Sequence, residues 1–141
     1  MQRALAFDQS PPLGVALRFF LNVPMFLLFA ALVLAWASTG DAPYKRWNPG
    51  VLAAAHLLTL GVLASAMLGA MMQILPVAAR IRVLHANITS PVVHLCLTIG
   101  VLALAMAFLS GSAALHGAAV VLLALAFLIF LVAVVDYRLV T

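Results

Sequence analysis

Four histidines, His56, His85, His94 and His116, are the residues of this chain best suited to chemistry. Carboxylates are scarce: there is no glutamate, and Asp8, Asp41 and Asp136 fall in tails, connections or a helix end. Paired-carboxylate hydrolysis and proton pumping through buried acids therefore have no residues to use. Cys96 is a single thiol in an apolar run, so it forms no disulfide framework. What remains is imidazole, which ligates a metal through a neutral ring nitrogen.

The elements that position these rings follow from composition. The 141 residues are 67 % hydrophobic and 7 % charged, whereas a soluble domain carries about 25 % charged residues. The chain is read as an integral membrane protein. A span takes about 20 residues, which allows four at most and leaves no room for an extramembrane domain. The expected fold is all-α, an integral membrane four-helix bundle forming one domain over 1–141. The spans are placed at approximately 13–36, 51–78, 91–109 and 115–135. Arg18, Asn22 and Pro24 roughen the first, and Pro76 loosens the end of the second. Ser90 is the expected N-cap of the third, with Pro91 in its first turn. The short connection 110–114 makes spans three and four antiparallel neighbours. Small residues at Ala35 and Ala37 resemble a signal-cleavage site, but Asn22 and Pro24 interrupt the apolar core and the run is long enough to span.

The net charge of +4 does not signal nucleic acid, because the cations sit at or near span ends. With the N-terminus inside, Arg3, Arg18, Arg80, Arg82 and Arg138 lie on the inner side and Lys45 and Arg46 on the outer side. The expected location is a bacterial-type inner membrane with both termini cytoplasmic. Trp36, Tyr44 and Trp47 would form an outer aromatic belt.

At a rise of ~1.5 Å per residue, His56 lies ~12–13 Å to the outer side of the centre of span two, and His116 ~14 Å to the same side in span four. Two histidines level with each other on different helices can clamp one haem iron. His94 lies ~10 Å to the inner side in span three, about 22 Å below the His56 level. It belongs to a separate inner site, a second haem ligated by His94 with His85 or a methionine, with Arg80 and Arg82 on the propionates. Each ring also has an ordinary explanation. His116 can face headgroups, His56 can bond a carbonyl or Thr59, and His85 can be solvated in a basic loop. Met67, Met71 and Met72 with His94 offer a third chemistry, copper(I) handling, although methionine is also common apolar filler. Gly61, Ser65 and Gly69 form a small-residue stripe suited to close helix approach.

The stretch His56-Leu57-Leu58-Thr59-Leu60-Gly61, continuing through Met67-Leu68-Gly69-Ala70-Met71-Met72-Gln73-Ile74-Leu75-Pro76-Val77, resembles the second-span motif of short membrane proteins related to subunit I of the haem-copper oxidases. These include the nitric-oxide-response membrane protein group. In them H-x-x-T-L-G opens a helix that closes with G-A-x-x-Q-x-x-P-V. The resemblance implies an axial haem ligand at His56. It also implies a homo-oligomer, since this chain has the length of one arc of the larger oxidase bundle. The sequence has no copper-site histidine cluster, no His-Tyr crosslink pattern and no carboxylate proton channel, so it is not read as a stand-alone oxidase.

The expected function is haem b binding at one or two sites, for electron transfer with a redox partner or respiratory complex, or for sensing and handling a diatomic gas. The alternative is an accessory subunit or assembly factor that docks its Gly61/Ser65/Gly69 stripe against a larger respiratory membrane complex.

Overall fold

The structure, a computed structural model, describes residues 11–40, 45–79, 81 and 83–139, with side chains described to residue 134. It is all-α, and four helices are long and apolar enough to cross a membrane: α1 Leu13–Ala37, α2 Pro49–Ala79, α3 Ala86–Ser110 and α4 Ala113–Leu139. Asn48 caps α2, its side-chain oxygen accepting from the Gly50 amide at 2.8 Å, and Pro49 takes the first helical position. Gly111 ends α3 in the left-handed conformation, φ 69°, which suits a residue without a Cβ.

Two features, one boundary and one winding, differ from expectation. Helix α3 begins at Ala86, a turn and more before Pro91. The extra turn is held by Ile88 and Thr89 amides on the His85 carbonyl and by the Thr89 hydroxyl on the Leu84 carbonyl. Ser90 is thus inside the helix and does not cap it. Its hydroxyl, fully buried, instead donates to the Val15 carbonyl of α1 at 2.7 Å. Helix α2 is also not uniformly α-helical. Leu57–Ala64 winds as a π-helix directly after His56, a form that recurs at functional sites.

Helices α1, α2 and α3 pack against one another, while among the described residues the one helix that α4 packs along is α3. The α3–α4 seam is built from small residues. Ala119, Ala126 and Ala133 are buried at seven-residue intervals on α4, along the side that packs on α3. A Cβ on Gly100 would stand 3.0 Å from Leu123 Cγ, so the two backbones approach closely there.

The Gly61/Ser65/Gly69 stripe lies against α1. A Cβ on Gly61 would stand 2.6 Å from the Phe26 ring, and one on Gly69 3.1 Å from Phe19 Cβ and 3.3 Å from the Ala16 carbonyl. Phe19 and Phe26 are fully buried by this arrangement. The stripe is consumed within the chain and is not free to dock a larger complex, which corrects the expectation. The reason is steric, since only a residue without a side chain admits a phenyl ring at that distance.

Gly61→Ala is expected to destabilise the bundle by about 1–3 kcal/mol through overpacking. Gly117→Ala, where no atom lies within 4 Å of the added carbon, is expected to cause no loss. Thermal unfolding of the two variants in the same detergent checks the contrast.

Candidate functional site

His56 and His116 converge on one phenyl ring. Phe108, near the end of α3, lies 4.8 Å from the His56 ring centroid with the planes tilted by 35°. It meets the His116 ring edge-on at 5.1 Å. The two imidazoles, from α2 and α4, are therefore no farther apart than the sum of those contacts.

Each ring is oriented by its own helix. The His56 Nδ1–H donates to the Leu52 carbonyl at 2.8 Å, and the His116 Nδ1–H donates to the Ser112 carbonyl at 3.0 Å. A carbonyl can only accept, so Nδ1 carries the proton in both rings and Nε2 is left with its lone pair. A backbone carbonyl on the distal N–H is the usual companion of a metal-ligating histidine, because it fixes the tautomer and raises the basicity of the free nitrogen. Both rings are half-buried.

Two imidazoles of this tautomer are donors of the kind that could hold a haem iron. Among the described residues no three His, Cys, Asp or Glu side chains group to hold a metal ion. A site here must take most of its ligands from elsewhere, as a haem takes four from its macrocycle. The obstacle is the Phe108 side chain, which packs against both rings.

His94 is held apart from this pair. It lies fourteen residues before Phe108 on α3, ~21 Å along the helix axis. Its Nε2–H donates to Asn22 Oδ1 at 3.1 Å, and Asn22 Nδ2 donates to Thr98 Oγ1 at 2.8 Å. Phe19 meets the His94 ring edge-on at 5.5 Å. These contacts make His94 one arm of a polar clamp between α1 and α3. His85 precedes α3 in a left-handed conformation, φ 47°, and is exposed. It is ~13 Å from His94 along the chain's rise, and the structure does not bring the two together. Met72 is buried in the core while Met67 and Met71 are exposed, so the three thioethers do not share a face. Arg80 and Arg82 lie outside the described residues.

Sequence reasoning missed Phe108, although the same depth arithmetic that paired His56 with His116 puts residue 108 at their level on α3. It also missed Asn22 as the partner of His94. The signal was present there too, as a polar side chain inside an apolar run that required an acceptor or donor on a neighbouring helix.

No family model, curated protein or solved structure matches the chain.

Asn22 and His94 are expected to couple by about 0.6–1.7 kcal/mol, the range for hydrogen bonds between membrane helices. A double-mutant cycle of Asn22→Leu and His94→Leu, read by unfolding in detergent micelles, checks it, and additive effects would remove the clamp from the account.

Proposed function

We propose that this chain is a membrane haem b-binding protein in which His56 and His116 would hold the iron. Its role is electron transfer with a redox partner, or sensing and handling of a diatomic gas. The observation that carries this reading is the matched pair of imidazoles from two helices, each with Nδ1–H committed to a carbonyl four residues back and Nε2 free. The resemblance of the His56–Val77 stretch to the second span of haem-copper oxidase relatives supports the same role for His56.

Bound haem b would supply a one-electron iron couple or, where a gas displaces one of the two histidines, a place for that gas to bind. The chain's own residues do the rest. The Leu52 and Ser112 carbonyls hold the rings in the ligating tautomer. Phe108 fills the space beside them. The inner site, with His94 or His85 as ligand and Arg80 and Arg82 on propionates, is a weaker proposal, since His94 Nε2 is already bonded to Asn22. In this reading both termini are cytoplasmic, the membrane is the bacterial-type inner membrane, and copies of the chain assemble as a homo-oligomer.

One observation favours a second reading, an accessory subunit or assembly factor of a respiratory membrane complex. Among the described residues helix α4 packs along α3 alone, leaving Val121, Leu125, Leu128 and Val132 exposed on its flank. Copper(I) handling gains nothing from the placement of Met67, Met71 and Met72.

Purified protein from haem-replete cells is expected to show a Soret band and a pyridine haemochrome of b type. The band should be lost in His56→Ala and in His116→Ala, kept in His85→Ala, and strengthened in Phe108→Ala. A colourless wild-type protein that copurifies with an oxidase would favour the accessory reading instead.

A further inference from the structure

The π-helical stretch of α2 ends on an unsatisfied group. Ser65 is fully buried, and its hydroxyl is the one buried side-chain polar atom among the described residues without a hydrogen-bond partner. Elsewhere Thr59 and Ser110 donate to the carbonyl four residues back, at 2.9 and 2.7 Å. For Ser65 that carbonyl belongs to Gly61, inside Leu57–Ala64. The carbonyl three back, on Val62, already accepts the Ser65 amide. Bonds in a π winding run to the fifth residue, which turns the fourth carbonyl away from the hydroxyl. A hydroxyl buried without a partner favours a rearrangement that supplies one.

That rearrangement is α winding. A π stretch holds one residue more than an α stretch joining the same ends. Rewinding it moves Pro49–His56 one place toward the start of α2, so that each residue's place passes to its successor. The buried positions of this half tolerate the shift, because Ala53 and Ala54 give way to Ala54 and Ala55. Gly50 opposes it. A Cβ at Gly50 would stand 2.6 Å from Ala37 Cβ, and its successor is Val51, so this contact latches the π form. We propose that α2 is a two-position span. In the π position His56 stands against Phe108. In the α position Leu57 takes that place, Ser65 bonds to Gly61, and His56 is withdrawn from the ring it shares with His116. The two positions need no ligand, whereas their use as a control on His56 as an iron ligand rests on the haem reading.

Exchange-saturation NMR of the full chain in nanodiscs, labelled on its histidine rings, tests this, because it reads sparsely populated states. The His56 ring, assigned by its loss in His56→Gln, is expected to show a second state on the order of a few per cent. That state lacks the ring-current shift from Phe108. Ser65→Ala removes the hydroxyl that gains a partner in the α position, and should lower the population about fivefold. Ala37→Gly opens the latch and should raise it several-fold. Absence of a second His56 state in both wild type and Ala37→Gly overturns the proposal, as does a second state indifferent to Ser65→Ala. Where Ala37→Gly fails to fold, wild type and Ser65→Ala decide it alone. A missing Soret band would remove the haem reading and leave these exchange signals as they are, so the two failures are distinct.

Discussion

Hydrocarbon offers no hydrogen bonds, so a polar side chain that enters it must find its partner within the protein. This constraint orders the polar groups of the bundle into two classes. One class bonds backward along its own helix: His56 to Leu52, Thr59 to Ala55, Ser110 to Met106 and His116 to Ser112. The other crosses to a neighbour: Asn22 to Thr98, His94 to Asn22 and Ser90 to Val15. The first class fixes how a side chain points, and the second fixes how two helices sit. Ser65 stands outside both, its hydroxyl fully buried without a partner between the close contacts at Gly61 and Gly69.

The division matters for chemistry. A backward bond uses the proton of Nδ1 and leaves Nε2 free, so it satisfies the membrane's demand and prepares a ligand at once. A cross-helix bond at Nε2 spends the nitrogen that would otherwise face a metal. His56 and His116 fall on one side of that line and His94 on the other. The ordinary explanation for His56, a bond to a carbonyl, and the ligand explanation turn out to be compatible, because they concern different nitrogens.

The four spans were legible because composition and length leave few ways to cross a bilayer. The common level of His56 and His116 was legible because rise per residue is fixed. The start of α3 was not, since Pro91 is an ordinary first-turn residue and the bonds that extend the helix to Ala86 come from His85 and Leu84, outside any capping pattern. The small-residue stripe was visible, but its partner was not. A glycine face records that something approaches closely, and only the fold shows that Phe26 and Phe19 of the same chain do so. The alanine heptad of α4 was overlooked among so many apolar residues. Of the site, the common level of His56 and His116 could be read from depth, while the placement of Phe108 against both rings required the helices to be assembled.

The π-helical stretch Leu57–Ala64 gives α2 two rotational phases. Hydrogen bonds to the fifth residue in place of the fourth amount to one residue inserted into the winding, and one residue of an α-helix is worth ~100° of turn. The half of α2 before the insertion directs His56 toward α3, and the half after it presents Gly69 to α1. Without the insertion the two faces would be locked in the phase of a single helix. The wide turn thus sets the phase of Gly69 against α1 separately from that of the ring aimed at Phe108.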